Sequence, residues 1–309
     1  MKFVSFLLPG EIDHSGLGVP YMGILNGDEI EDFGIEAGEI LIKILGEGRA
    51  DVEGLRWYME QYAVNRRVGD VRLRAPLPYP TSLRDFYGFE AHVKAAYAIL
   101  GRAVPDAWYQ FPAFYFGNHN AIFGPDDVIA YPRKSQALDF ELEVACVIAK
   151  EGRNIPVDKA EEHIMGYMIF NDWSARDRQR QEMAVGLGPA KGKDFASSFG
   201  PCLVTPDELV DHKTERPGVY DLAMVARVNG EERSRGNWKD LHYSFAEMIA
   251  RASEDATLRP GDILGSGTVG TGCLLELTGG KGPWLQPGDV VELEIDRLGR
   301  LRNTVGEPY

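Results

Sequence analysis

The chain has 309 residues, of which 44% are hydrophobic and 26% charged. This is the composition of a folded protein of one to three domains, not of a disordered segment or a peptide-sized binding module. Its 47 acidic residues against 33 Lys and Arg give a formal charge of -14, which argues against broad attraction to nucleic acid or to an anionic membrane surface.

Cys146, Cys202 and Cys273 are an odd number of cysteines without paired zinc spacing. Neither a disulfide framework nor a structural zinc site is expected, and a reducing cytoplasm is the simplest setting. The opening MKFVSFLLPGEIDHSG has too short an apolar run for a signal peptide, and no stretch reaches the roughly 18 apolar residues of a membrane helix. Residues 21 to 33 read as two strands joined at Asn26-Gly27, and residues 36 to 65 as two short helices. Three prolines between Pro76 and Pro80 mark an extended connector, which divides a small N-terminal domain, 1–75, from a larger one, 76–309.

A helix is predicted from about Asp85, with Phe86, Phe89, Val93 and Tyr97 forming its apolar stripe and His92 beside it. A loop rich in Pro and aromatics and a turn at GPDD follow, then a strand, ALDFELEVACVIAK, residues 137 to 150. A helix is expected from near Asp158, and a second apolar strand runs into the polar cluster NDWSARD. The remainder reads as strands: a hairpin around Asn229-Gly230 and two strands that each follow a Pro-Gly-Asp turn, interrupted by one helix at 244–254.

Alternation along a strand puts Asp139, Glu141 and Glu143 on one face. With Asp172 at the end of the second apolar strand, Glu141 and Glu143 make an all-oxygen set suited to Mg²⁺ or Mn²⁺ and tolerant of Ca²⁺. The same pattern also fits the wet face of an ordinary sheet. His92 is the natural base at neutral pH beside such a constellation, and equally fits a histidine packed into its helix. Lys193, in AKGKDF, is either a ligand contact or a surface lysine. The glycine-rich GSGTVGTG lacks the lysine of a phosphate loop, but its N–H groups and Thr268 suit a carboxylate or an enolate oxygen.

LDFELE, GRNIP, EHIMGYMIFNDWSARD, GKDF and GSGTVG, in this order, make the chain resemble the fumarylacetoacetate hydrolase family from roughly Leu83 to Val305. The resemblance is closer to its fumarylacetoacetase-like branch and looser over residues 1 to 75. It implies an α+β, mostly β fold, a mixed β-sandwich roll behind a small N-terminal β-containing domain, usually homodimeric. It also implies that Glu141, Glu143 and Asp172 bind the metal, joined by Asp85, and that His92 is the base, oriented by Glu276. Lys193 would stabilise an oxyanion. Tyr87, Arg102, Arg176, Gln179 and Thr268 would contact the substrate, with Arg102 replacing an arginine missing from YFGNHN. The implied activity is metal-dependent hydrolysis of a C–C bond in a 1,3-diketo acid or acylpyruvate, as in aromatic compound catabolism. Decarboxylation of oxaloacetate, isomerisation or dehydration of a 2-keto acid, and a catalytically silent dimer remain alternatives. Phe111, Phe114, Tyr115, Phe116 and Trp284 are the aromatics expected around a distal pocket.

Overall fold

The computed structural model describes residues 1–10, 18–36 and 64–308, so the two short helices expected between 36 and 65 lie outside the described residues. The fold is a mixed, mostly β sandwich with few helices. Its larger sheet runs in the order Val64–Arg67, Glu29–Glu36, Tyr21–Asn26, Lys2–Leu7, Ser197–Val204, Ile164–Asp172, Leu142–Ile148, Asp262–Gly265, Ser82–Phe86, Phe114–Gly117. A five-stranded sheet, Glu231–Asn237, Ala223–Val228, Val290–Ile295, Gly299–Gly306, Val128–Ala130, packs across it.

The hairpins expected at Asn26-Gly27 and Asn229-Gly230 are both present, as are the strands after the two Pro-Gly-Asp turns. The helix Phe245–Ser253 starts in a capping box, in which Ser244 and Glu247 satisfy each other's backbone N–H groups.

The central strands are apolar along their whole length because both faces are covered. Val144, Cys146 and Ile148 enter the core between the sheets. Ala145 and Val147 join Phe3, Ile24, Met168 and Phe170 on the opposite face. The N-terminal strand Lys2–Leu7 pairs with Tyr21–Asn26 along one edge and with Ser197–Val204 and then Arg72–Arg74 along the other, so sheet hydrogen bonding runs across residue 75.

One expected element is displaced. Asp85 and Phe86 belong to the strand Ser82–Phe86, and the helix starts only at Glu90 and ends at Ile99. The strand is specified by its parallel pairing with Asp262–Gly265, a partner about 180 residues away that outweighs the local helical spacing. Among the described residues no helix is long and apolar enough to cross a membrane.

Candidate active site

Neighbouring strands deliver the carboxylates to one end of the large sheet. Leu142–Ile148 carries Glu143 at its start, Ile164–Asp172 pairs with it in antiparallel register and ends at Asp172, and Ser82–Phe86 supplies Asp85 from two strands away. In the sheet register Gly265 lies between Asp85 and Ala145. A Cβ there would stand 2.5 Å from Asp85 Oδ1 and 2.8 Å from the Phe170 ring, so only glycine leaves the gap through which Asp85 reaches its neighbours.

Asp85, Glu143 and Asp172 each offer an oxygen within 4.8 Å of the other two, and all three are buried. Gly267, at φ +80°, donates its N–H to Glu143 Oε2 at 2.9 Å and to Asp85 Oδ1 at 3.2 Å, and Thr268 donates to Glu143 Oε1 at 3.3 Å. The glycine-rich stretch therefore holds the chain's own carboxylates. Tyr115 donates to Asp172 Oδ2 at 2.6 Å, while Asp172 Oδ1 is buried with no hydrogen-bond partner.

Burial, aided by neighbouring negative charge, pushes the Asp85 and Glu143 carboxyls well above the carboxylate range. Burial also raises Asp172 from 3.8 to about 6, with Glu141 adding to the rise and Lys193 opposing it. Three crowded, buried oxygen donors with one lone-pair group unpartnered fit a hard divalent cation, Mg²⁺, Mn²⁺ or Ca²⁺. A metal-coordinating cluster is thus present, but the donors that converge on it are Asp85, Glu143 and Asp172.

Glu141 has other partners. Lys193 bridges Glu141 and Asp172, and Arg176 donates to Glu141 at 2.8 Å. Burial works to raise Glu141, yet the two cations override it and hold the carboxyl well below its usual range. Burial likewise favours a neutral Lys193, but Asp172 and Glu141 outweigh it and keep the ammonium charged.

Asp139 is wholly buried and accepts from Arg176 Nε at 2.8 Å and from the N–H groups of Leu274 and Leu275 at 2.7 and 2.9 Å. One carboxylate thus ties Arg176 to the short helix Leu274–Leu277, which carries Glu276. Asp139→Ala is expected to cost about 3–5 kcal/mol of stability because it leaves a buried guanidinium half-paired. A urea midpoint equal to the wild type would show that Arg176 does not need this partner.

His92, on the helix Glu90–Ile99, meets Glu276 Oε1 through Nδ1 at 2.5 Å. The other Glu276 oxygen accepts from the Thr271 N–H at 3.0 Å, and the Tyr87 ring stands edge-on to the imidazole at 5.3 Å. With Nδ1–H donated to the carboxylate, Nε2 keeps its lone pair.

His92, Asp85, Glu143 and Lys193 open onto one cavity of about 630 Å³. Tyr87, Arg102, Arg176, Gln179 and Thr268 line it too. Arg176 donates to Gln179 Oε1 at 3.1 Å, which leaves the Gln179 amide N–H groups for a ligand. Arg102 is exposed and has no ion-pair partner among the described residues. Of the five aromatics expected around the pocket, only Phe114 and Tyr115 line it. Phe111 instead packs under Arg251, Phe116 is 68% exposed under Arg84, and Trp284 packs on the core.

The hydrogen bonds of Tyr115 and Asp139 to site residues have no signal in the local sequence, because each depends on pairing between distant segments. Arg180 and Met183 also line the cavity, from the helix Arg176–Val185. That helix is too polar to show an apolar stripe.

The model of the C-terminal domain of fumarylacetoacetate hydrolase matches residues 81–306. The chain belongs to the fumarylacetoacetate hydrolase family. It is 37% identical over 188 residues to a mitochondrial oxaloacetate tautomerase of Xenopus laevis, covering 60% of this chain and 55% of that one. It is 36% identical over 200 residues to a 2,4-didehydro-3-deoxy-L-rhamnonate hydrolase of a Sphingomonas strain, covering 63% and 65%. The matched region thus spans little more than half to about two thirds of these relatives. The structure is similar to that of a fumarylacetoacetate hydrolase from Exiguobacterium antarcticum, with TM-score 0.75, 26% identity and 99% of both chains covered. The family match does not single out one of its branches, fumarylacetoacetase-like or other.

Proposed function

We propose that the chain is a divalent-metal-dependent enzyme that moves a proton at the carbon beside the ketone of a 2-keto acid, interconverting keto and enol forms. The observation that carries this reading is His92, held through Nδ1 by Glu276 at 2.5 Å and sharing one cavity with the carboxylate cluster. Similarity to an oxaloacetate tautomerase supports it.

Asp85, Glu143 and Asp172 would hold the cation, which when bound supplies Lewis acidity toward the keto-acid oxygens. His92 Nε2 takes the proton from carbon, and Glu276 stabilises the imidazolium that results. Lys193 and the free Gln179 amide present donors where negative charge develops on oxygen. The same proton, returned to oxygen or carbon, completes the interconversion.

A second reading, hydrolysis of a C–C bond in an acylpyruvate or 1,3-diketo acid, is favoured by the apolar side of the cavity. Ile99, Leu100, Phe114, Met183 and Leu275 offer room for an acyl chain that oxaloacetate does not have. There His92 takes its proton from water, and hydroxide adds to the carbonyl remote from the carboxylate. Cleavage then releases a carboxylic acid and the enol of pyruvate. Similarity to a hydrolase of the family supports this reading.

Enol absorbance followed with oxaloacetate and a panel of acylpyruvates, with Mg²⁺, Mn²⁺ or chelator, tests both. Metal-dependent equilibration of enol and ketone without new products supports proton transfer. Pyruvate plus an acid moves the function to hydrolysis, and CO₂ from oxaloacetate moves it to decarboxylation. No reaction with any member would refute the 2-keto acid class.

Arg102 at the mouth suits a second carboxylate. Arg102→Ala is expected to raise KM for dicarboxylic keto acids roughly 10-fold with kcat unchanged, the signature of lost uniform binding. An equal rise for monocarboxylic acids would rule out this role.

A further inference from the structure

Cys273 takes no part in the proton transfer described above, yet it stands at the base that performs it. It precedes the turn of helix Leu274–Leu277, three residues before Glu276, a spacing that sets the two side chains on one side of the turn. His92 reaches the same side from the helix Glu90–Ile99. Cys273 Sγ lies 3.7 Å from Glu276 Oε1, the oxygen that His92 Nδ1 meets at 2.5 Å. One ligand atom from each of the three falls within 4.8 Å of the others. All three side chains are buried, and His92 also lines the cavity.

This nitrogen, sulfur and oxygen set differs in kind from the all-oxygen cluster. Thiolate and imidazole select a borderline-soft cation, whereas carboxylates alone suit Mg²⁺ or Mn²⁺. Bond lengths of about 2.0–2.3 Å to such an ion place tetrahedral ligands some 3–4 Å apart, so small side-chain rotations close the site.

We infer that His92, Cys273 and Glu276 form a second metal site, selective for Zn²⁺ or a similar ion, whose occupation switches off the base. An ion on Nδ1 requires the single proton of the neutral ring to move from Nδ1 to Nε2, which then has no lone pair to offer. Binding converts the Cys273 thiol to thiolate and releases its proton to solvent. Only the effect on turnover rests on His92 being the base. The site itself stands or falls by ligation.

The test uses the full chain with its oxygen cluster first saturated with Mg²⁺, then titrated with Co²⁺ as a spectroscopic stand-in for Zn²⁺. The expected result is one further equivalent of Co²⁺ with a near-ultraviolet thiolate-to-cobalt charge-transfer band that Cys273→Ser removes. Zn²⁺ affinity should fall in that variant by at least the ~10–100-fold that loss of an outer-shell partner costs. Mn²⁺ affinity at the oxygen cluster should be unchanged, which also reports that the variant is folded. If the serine variant does not fold, Cys273→Ala gives the same reading, and Glu276→Gln should keep the sulfur band while weakening Zn²⁺ binding. A Co²⁺ spectrum without the sulfur band, or a band that survives loss of Cys273, would overturn the assignment. So would Zn²⁺ that merely competes with Mg²⁺ for one site. None of these outcomes bears on whether the oxygen cluster catalyses keto-acid chemistry, which the substrate panel decides separately.

Discussion

His92→Gln is expected to lower turnover about 10²–10⁴-fold, the range for removal of a positioned general base, with Mg²⁺ and Mn²⁺ affinity at the oxygen cluster left as in the wild type. That loss corresponds to roughly 3–5 kcal/mol of transition-state stabilisation. Glutamine is close in bulk and can still donate to Glu276, so packing of the helix Glu90–Ile99 against the turn that carries Glu276 survives. What disappears is the basic lone pair on Nε2. Glu276→Gln should fall between wild type and His92→Gln, because an imidazole without its carboxylate keeps a lone pair but loses both the fixed tautomer and the stabilised imidazolium. The comparison also separates the readings of the reaction. Decarboxylation of oxaloacetate asks least of a base and would keep much of its rate in His92→Gln, whereas proton transfer and hydrolysis would not. A variant as fast as wild type on every substrate would remove His92 from the mechanism.

The polar residues that meet in the cavity were legible largely because they are carried by strands whose alternation shows in the sequence. Glu141 and Glu143, two apart before an apolar run, mark one face of a strand, and the apolar run that ends at Asp172 marks its neighbour. Their burial was not legible. Asp139, Glu141 and Glu143 fit a wet face equally well until the glycine-rich loop and the Leu274–Leu277 turn are seen closing over them.

The misplaced start of the helix before His92 has a similar origin. Phe86, Phe89 and Val93 are spaced as on a helix, but Phe86 is a strand residue that meets the same core from another direction. The N-terminal strands carry alternation that predicts their hairpin. Nothing in it predicts that Lys2–Leu7 will pair with Ser197–Val204, because edge-to-edge pairing is decided by hydrogen-bonding groups every strand has. Gly265 shows the limit most plainly. Its role is to be without a Cβ next to Asp85, and a sequence shows a glycine without showing what a side chain would strike.

Glu143→Gln is expected to act in opposite directions on the metal-free and the metal-loaded protein. Without a cation, Asp85, Glu143 and Asp172 share one buried volume, and their carboxyls are displaced upward. The folded chain then holds protons that the unfolded chain has already released above about pH 4. Where the folded state binds more protons, stability falls as pH rises. For Asp172 that window runs from 3.8 to about 6, and Asp85 and Glu143, both raised by burial and neighbouring negative charge, act in the same direction. The metal-free protein should therefore lose stability as pH rises through this window, and a divalent cation should restore it by compensating the charge. Glutamine at position 143 removes one of the crowded charges while keeping acceptable hydrogen bonds. Its carbonyl oxygen accepts from the Gly267 N–H, and its amide donates to the Thr268 hydroxyl, which can accept as well as donate. The expected result is a higher melting temperature than wild type in chelator at pH 8, together with Mn²⁺ affinity at least ~100-fold weaker and little activity at any practical metal concentration. A variant less stable than wild type in chelator would mean that Glu143 is retained for folding and that the crowding of the three carboxylates is relieved by something other than a cation.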